Sequence, residues 1–432
     1  MVKNKGLLMI LFLSVILIFV CLYHQGFVYS QAEPEIKFLG TVALTGEAAT
    51  VGVNYDRAIR LAIEEINEEG LEGFSRINYR TIDTETSPSA LASKLHREVQ
   101  RWGPHIAGGT ALEPTIRVLC EASQSHKIPM FIGGYKGLSK YIPPGEVPLT
   151  DWMTYQNYTD FHAGYFAGKF FHDRGAEKVA FIGGDYDWGY GNSTGLLYYW
   201  MENDQPFEIT PVQYVPTDRA DLSSEVRIIK EADPDALFIV FTGDSFFSLP
   251  NQLLDADAKP ETILYSVVYS NLGAAMITGE DGARDVYALS THDPDSDSWR
   301  DYVHRWQDAY GARSYPEGYS HNYYQMVHWF RKVFEEAGTT DPEVIRETVK
   351  RVSFDGVNIG TTGPIDEYGF NMNSIASIVQ FVDGSSDLAP DFGLKPVLAE
   401  TFEIPSGLNS YRALEIMKEI GRLRSEESYP MN

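Results

Sequence analysis

One stretch of the sequence, Lys178–Gly195 (KVAFIGGDYDWGYGNSTG), concentrates residue types that bind ligands or take part in catalysis. Val179–Ile182 is a short apolar run that suits a buried strand, and the two glycines after it lead into an acidic, aromatic turn. Residues 192–194 are good N-cap types for a helix predicted to start at Leu196. A strand, a glycine-rich turn and a helix form the unit of an open parallel sheet, in which ligands bind at the carboxyl ends of the strands. Trp188 has no partner in the local hydrophobic pattern, so we predict that it contacts a ligand.

Gly191–Gly195 also matches the G-x-S-x-G pattern of a hydrolase nucleophile elbow, with Ser193 as the nucleophile. That mechanism needs the serine on the sharp turn directly after the strand, whereas Ser193 follows the predicted strand end near Gly183 by about ten residues. Capping of the following helix explains the residue better. A secreted serine hydrolase is therefore kept only as a remote alternative.

Other spacings that resemble metal or nucleotide sites lack necessary members. Asp293, Asp295 and Asp297 begin like a calcium loop, but the glycine at the sixth position and the glutamate at the twelfth are missing. Gly189 and Gly191 lack the third glycine of the dinucleotide fingerprint. The histidines are scattered, without the i, i+4 pair of a helical zinc site. The sequence therefore predicts neither a metal nor another cofactor.

The elements that position these residues alternate between strands and amphipathic helices. The first block is predicted as strands 36–44, 77–82, 105–107 and 128–132 with helices 55–67, 87–99 and 114–125. The second block is predicted as strands 178–183, 208–214, 236–241 and 262–267 with helices 161–174, 196–203, 222–231 and 245–255. Helices 299–310, 319–337 and 342–352, a strand-like run at 374–382 and a helix at 411–425 follow. Because helices separate successive strands, we predict parallel sheets with right-handed crossovers.

At 432 residues the chain is too long for one compact core. The strand–helix rhythm breaks near residues 151–156, 289–294 and 363–366. We therefore predict an α/β fold of two Rossmann-like lobes with parallel sheets, joined by a three-crossing hinge beside a cleft. The predicted units are lobe 1 at 31–152 and 291–363, lobe 2 at 153–290 and 364–400, and a C-terminal extension at 401–432.

Residues 1–30 have the layout of a secretory signal peptide. Lys3 and Lys5 precede the apolar run Leu7–Leu22, and residues 28–30 resemble a cleavage site before Gln31. We expect export to the periplasm or the outer face of the cytoplasmic membrane. The apolar run is slightly long for a signal peptide, so an uncleaved membrane anchor stays an alternative.

Without residues 1–30 the chain has 33 basic and 60 acidic residues, a formal charge of −27. Such acidity disfavours nucleic acid and anionic membrane surfaces as partners. Cys120 is the single cysteine left in that part of the sequence, so we expect no internal disulfide and no cysteine-based metal site.

Together these motifs resemble the type I periplasmic binding proteins of branched-chain amino acid and amide ABC importers. The matching residues are Leu44-Thr45-Gly46 with the helix Ala58–Asn67, then Asp185–Gly191 after a strand, and finally Gly363–Gly369. The resemblance spans residues 36–398 and rests on the order and spacing of these motifs together. It implies a monomer whose two lobes close on a small ligand, an amino acid or an amide, and deliver it to an ABC permease.

The resemblance also carries the family's ligand contacts over to positions of this chain. The matching positions are Thr110, Leu112, Glu113, Gly134, Tyr135, Trp188, Asp244, Ser245, Phe246 and Tyr269. The loop around Thr110 corresponds to the family's carboxylate-binding loop, and Trp188 to the aromatic residue that covers the ligand from the other lobe. Tyr269 falls near the place where amino-acid binders have an acid for the ligand ammonium.

Two of these positions depart from the family pattern. Glu113 replaces a hydroxyl residue and would repel a ligand carboxylate, while no acid stands at 268 or 269. Either Glu113 binds the ammonium, or the ligand is an amide, an amine or another molecule, or Glu113 caps the helix that begins at Pro114. We predict a solute-binding protein and not an enzyme, with a membrane-tethered sensor of the same fold as the alternative.

Overall fold

The computed structural model describes residues 33–46, 48–110, 113–134, 150–216, 219, 221–241, 244–266 and 269–423. Within these residues the chain forms two lobes, each built on its own sheet and covered by helices on both faces. The helices are α1 Ala49–Glu69, α2 Pro88–Arg101, α3 Glu113–His126, α4 Asp160–Asp173, α5 Asp187–Glu202, α6 Ser223–Ala232, α7 Asp244–Asp255, α8 Leu272–Thr278, α9 Glu280–Ala283, α10 Asp297–Tyr310, α11 Ser320–Ala337, α12 Pro342–Thr348 and α13 Ser410–Leu423.

The first lobe contains a five-stranded parallel sheet in the order β2-β1-β3-β4-β5. Its strands are β1 Ile36–Val42, β2 Ile77–Asp83, β3 Ile106–Gly108, β4 Met130–Ile132 and β5 Met153–Tyr155. Helices cover both faces, so β1, β3 and β4 are buried along nearly their whole length and read as continuous apolar runs. The sequence analysis missed β5, because its three residues lie within the break of the strand–helix rhythm at residues 151–156.

The second lobe contains a seven-stranded sheet in the order β12-β11-β10-β9-β8-β6-β7. Its strands are β6 Lys178–Gly184, β7 Glu208–Val215, β8 Ala236–Val240, β9 Thr262–Tyr265, β10 Val286–Ser290, β11 Ala376–Asp383 and β12 Leu394–Phe402. Strands β6 to β10 pair in parallel, as predicted, but β11 and β12 are antiparallel to their neighbours. The sheet is therefore mixed, because β11 and β12 form a hairpin with no helix between them.

The chain crosses between the lobes three times, which confirms the predicted hinge. The crossings lie between β5 and α4, between β10 and α10, and between α12 and β11. Two predicted boundaries need correction. The first crossing follows Tyr155 and not residue 152, because β5 pairs with β4 of the first lobe. The third follows Phe370 and not residue 363, because Phe370 is fully buried in the core of the first lobe.

Helix α5 begins earlier than predicted. The expected start at Leu196 is wrong, because the helix already starts at Asp187 and therefore contains Trp188 and Ser193. Glycine has a low helix propensity, but here the packing of α5 against α4 requires glycine. A Cβ atom at Gly195 would lie 1.8 Å from the carbonyl oxygen of Phe161 in α4, and one at Gly164 of α4 would lie 1.8 Å from the carbonyl oxygen of Asn192. The glycines let the backbones of α4 and α5 approach closely.

Candidate functional site

The candidate site lies between the lobes, around Trp188 in the first turn of α5 and Tyr319 at the N-cap of α11. Both side chains are half-buried, and both pack against a hydrophobic cluster of the second lobe and against a second cluster that includes residues of both lobes. Burial, followed by the charges of Tyr55, Asp160 and other neighbours, raises the pKa of Tyr319 well above its usual range. The carboxyl group of Asp160 in the second lobe therefore acts electrostatically on the phenol of Tyr319 in the first.

Aromatic side chains form one wall of this site. The ring centroids of Tyr186 and Trp188 are 6.5 Å apart. The buried Tyr158 also contributes to the raised pKa of the Tyr319 phenol. Among the described residues, no acceptor bonds the buried indole Nε1 of Trp188. A buried N–H group without a partner costs about 1–3 kcal/mol, so a ligand that offers an acceptor here is favoured.

Two acidic side chains lie at the helix starts that border this wall. Asp160 is the first residue of α4 and Asp187 the first residue of α5, and each is 1% exposed. The positive end of a helix dipole stabilises a carboxylate at this position. Gly191 makes room for Asp160, because a Cβ atom there would lie 2.5 Å from the Asp160 Cβ. Both acids also interact with neighbouring groups of the protein.

The predicted residues Thr110 and Gly134 follow β3 and β4 of the first lobe. The Thr110 hydroxyl donates to the Thr115 hydroxyl at 2.5 Å, and Tyr323 donates to the Thr110 carbonyl oxygen at 2.7 Å. A Cβ atom at Gly134 would lie 3.5 Å from the ring of Tyr319, an ordinary van der Waals distance, so Gly134 is a neighbour of that ring. The carboxyl end of β4 therefore lies beside Tyr319, and the carboxyl end of β3 is bonded to Tyr323.

The structure does not bring Phe246 and Tyr269 to this site. Both rings are buried in the second lobe, where Tyr265 lies 4.8 Å from Phe246 and stacks on Tyr269 at 4.3 Å. They lie on the face of the sheet that α7 and α8 cover, so they belong to the core of that lobe. Leu112 and Tyr135 lie outside the described residues, as do the side chains of Glu113, Asp244 and Ser245.

Sequence reasoning missed the residues that surround Trp188, namely Tyr158, Asp160, Tyr186, Asp187 and Tyr319. Their signal was nevertheless present, because Asp160 and Tyr319 stand at the starts of predicted helices. A search for polar residues at helix starts beside the predicted crossings would have found both. Asp187 was missed because the start of α5 was placed too late.

The nucleophile-elbow pattern around Ser193 has a different explanation. Ser193 is fully buried inside α5, where its hydroxyl donates to the Tyr190 carbonyl oxygen at 3.0 Å and accepts from Tyr214 at 2.7 Å. The residue therefore neither caps the helix, as predicted, nor stands on a strand-to-helix turn. The two glycines of the pattern serve the packing of α5 against α4.

Side chains of α11 and the crossings hold the hinge together. Gln156 of the first crossing and Gln325 of α11 both donate to the Thr362 hydroxyl, at 2.7 and 3.1 Å. Thr291 of the second crossing donates to Asn322 of α11 at 3.0 Å. The first and second crossings are thus joined to α11 and to Thr362 by buried polar groups.

Comparison with known families gives one match over most of the chain. The family model described as periplasmic binding protein matches residues 35–385. This range runs from the start of β1 to the end of β11 and covers both lobes. The proteins of this family and the similar solved structures are solute-binding proteins and not enzymes.

Several solved structures share the fold at low sequence identity. The leucine binding protein LivK from Thermotoga maritima MSB8 is 17% identical with a TM-score of 0.69, over 85% of this chain and 99% of that one. A solute binding protein of an ABC transporter from Rhodopseudomonas palustris BisB5, in complex with 3,4-dihydroxy benzoic acid, is 17% identical with a TM-score of 0.71, over 85% and 97%. LivJ from Streptococcus pneumoniae str. Canada MDR_19A, in complex with isoleucine, is 15% identical with a TM-score of 0.69, over 84% and 99%. None of the helices described here has the length and apolar character of a membrane span.

Proposed function

This chain belongs to the family of periplasmic binding proteins, and from that premise we propose that it is an exported receptor that captures a small polar or zwitterionic ligand, an amino acid or an amide-like compound, for an ABC importer. The ligand lies between the lobes, against Trp188, Thr110 and Gly134. Similar proteins bind isoleucine in one case and 3,4-dihydroxy benzoic acid in another, so the fold accepts both classes of ligand.

The observation that carries this proposal is the group of aromatic and acidic side chains between the lobes. Tyr186 and Trp188 offer ring faces that attract a cationic group, and the carboxyl group of Asp160, which acts on the Tyr319 phenol, supplies a further acidic partner. The unpartnered N–H of Trp188 offers a donor to a carboxylate or amide oxygen. A ligand with an amino group and an oxygen acceptor satisfies both ends of the site.

Closure of the lobes supplies the rest of the binding energy. A ligand stabilises the closed form only through contacts that exist in that form, so both lobes must contribute. Trp188 and Asp160 come from the second lobe, while Tyr319, Thr110 and Gly134 come from the first. The bound, closed protein then presents its ligand to the permease as a monomer.

Thermal unfolding of residues 31–432 against amino acids, amides, polyamines and small aromatic acids tests the proposal. A ligand at a hundred times its dissociation constant adds roughly 2.7 kcal/mol, which shifts Tm by several degrees. A hit among amino acids supports an ammonium bound beside Asp160. If only aromatic acids raise Tm, the proposed cationic group of the ligand is contradicted, while the role as a receptor is still supported.

Two substitutions place the site. Trp188→Ala and Asp160→Asn should each weaken binding of the ligand found in that screen by tenfold or more, because each removes a contact worth about 1–3 kcal/mol. Met201→Ala is the matched control, since Met201 is 49% exposed at the opposite end of the same helix. Unchanged affinity in Trp188→Ala would show that the ligand binds elsewhere.

The sensor alternative is decided by the N-terminus of the mature protein. Cleavage before Gln31 releases a receptor that can meet a permease, whereas an intact apolar segment tethers a sensor. N-terminal sequencing of the exported protein distinguishes the two. A protein that still carries the intact apolar segment would contradict the proposed role in import.

A further inference from the structure

Residues 403–423 form a C-terminal strap beyond the part of the chain that the family model matches, which ends at residue 385. Its helix, α13, is amphipathic and turns one apolar face to the second lobe. The buried residues of that face are Ala413, Leu414, Ile416, Met417 and Ile420. They share one hydrophobic cluster with Phe161 and Phe166 of α4 and Leu196 of α5. The strap is therefore fixed to the two helices that carry Asp160, Asp187 and Trp188.

The start of the strap is held beside the first crossing. The carbonyl oxygen of Leu408 lies 2.7 Å from Nε2 of His162, two residues after Asp160 in α4. The other ring nitrogen, Nδ1, accepts a hydrogen bond from the backbone N–H of Thr159 and lies 2.8 Å from the hydroxyl of the same residue. Both nitrogens of this fully buried ring are thus used, with Nε2 as the donor to the strap.

A different part of the strap contacts the first lobe. The Ser410 hydroxyl donates a short hydrogen bond to the Asp366 carboxylate, and the ring of Tyr411 stacks on Tyr368 with centroids 5.6 Å apart. The other oxygen of Asp366 accepts from the backbone N–H groups of Tyr368 and Phe370 at 2.9 and 2.8 Å. Ser410 and Tyr411 are therefore bound to one ordered loop, residues 366–370.

This loop belongs to the first lobe. The ring of Phe370 stacks on Tyr155 of β5 at 4.6 Å, and the Tyr155 N–H donates to the Gly369 carbonyl oxygen at 2.7 Å. The strap consequently spans the hinge. Its apolar face is anchored on the second lobe, while Ser410 and Tyr411 are anchored on the first.

We propose that the C-terminal strap is a hinge brace that limits the range of angles between the two lobes. Rotation about the crossings must shear the Ser410–Asp366 hydrogen bond and the Tyr411–Tyr368 stack, because each joins groups fixed to different lobes. The strap also holds the starts of α4 and α5 in place, so Ser410 and Tyr411 are positioning residues for the cleft without touching its ligand.

Amide hydrogen exchange and small-angle scattering on full-length mature protein without ligand test the brace. The double variant Ser410→Ala/Tyr411→Ala should exchange the hinge amides of Tyr155 and Asn371 about tenfold faster, since a hydrogen bond to a charged group is lost. Its radius of gyration should rise as more open forms are populated. Ser410→Thr keeps the hydroxyl and should restore most of the protection when Tyr411 is intact.

Arg412→Ala is the matched control, because Arg412 pairs with Glu415 on the same helix at 3.5 Å. It should leave hinge exchange and the radius of gyration unchanged. Tyr411 is 48% exposed, so its replacement leaves the fold intact, and Tyr411→Ala alone serves if the double variant unfolds. If the folded strap variants show the same hinge amide exchange rates and the same radius of gyration as the wild-type protein, the proposal is overturned. Since no ligand is used, this outcome is independent of the proposed binding function.

Discussion

At the scale of single residues, the sequence drew attention to Trp188 of the second lobe but not to Asp160 or Tyr319. Trp188 stood out because nothing in its local pattern explained it, and it packs against two hydrophobic clusters. Phe246 and Tyr269 were carried over by position, yet packing places both in a core. Asp160 gave no motif of its own, because its proximity to Tyr319 arises only when two distant segments meet.

A buried histidine makes the stability of this protein depend on pH. Burial lowers the pKa of His162 from 6.5 to about 4, so between these values the unfolded chain binds a proton that the folded chain does not. Stability therefore falls as pH drops below 6.5, by up to about 3 kcal/mol for this group. We expect His162→Gln to make the fall between pH 7 and pH 4.5 shallower in urea unfolding.

The exposed His304 in α10 provides the control for that measurement. His304→Gln should keep the pH dependence of the original protein. If both variants lose stability with the same slope, the decline has another origin, such as the similarly buried His321, whose pKa is lowered to about 3.

At the scale of elements, long amphipathic helices and buried strands were predictable because local pattern and tertiary packing agree. Ser87 was expected to cap α2, and its hydroxyl does accept from the Ala90 N–H. Strands β10 and β12 were missed; β10 leads directly into the second break of the strand–helix rhythm, and β12 is an edge strand interrupted by Pro396. The early start of α5 was missed because its glycines look like a turn until α4 is packed against them.

The contact between α4 and α5 predicts a large effect from one methyl group. In an isolated helix Gly195→Ala would stabilise by about 1 kcal/mol. Here the added Cβ would lie 1.8 Å from the Phe161 carbonyl oxygen, so we expect a net loss of about 1–3 kcal/mol in the free energy of unfolding. Gly407→Ala is the control, since a Cβ there meets nothing within 4 Å. Equal stability of the two variants in urea unfolding would contradict the close packing.

At the scale of the whole molecule, the two-lobed fold followed from the repeated strand–helix rhythm and its three breaks. The rhythm specifies parallel neighbours and crossovers, so most of the topology could be predicted. The mixed edge of the second sheet and the position of the strap could not, because they depend on contacts between residues far apart in sequence. The boundary shifts at the first and third crossings have the same cause.

The excess of acidic residues predicts a stabilising effect of salt. With a formal charge of −27 after residue 30, repulsion between acidic side chains opposes the compact state. Raising NaCl from about 0.01 M to about 1 M shortens the Debye length from about 30 Å to about 3 Å, so Tm should rise by several degrees. Surface ion pairs, worth about 0–1 kcal/mol each, are too weak to reverse this. A falling Tm would show that attractive pairs dominate.

The close contact of α4 with α5 has a consequence for the speed of capture. Asp160, Asp187 and Trp188 are held on two helices whose backbones touch, so this half of the site needs no ordering when a molecule arrives. We expect first encounters with the open protein to be fast and similar for related compounds. Discrimination would then appear in how long each compound stays, and stopped-flow fluorescence of Trp188 can separate the two rates.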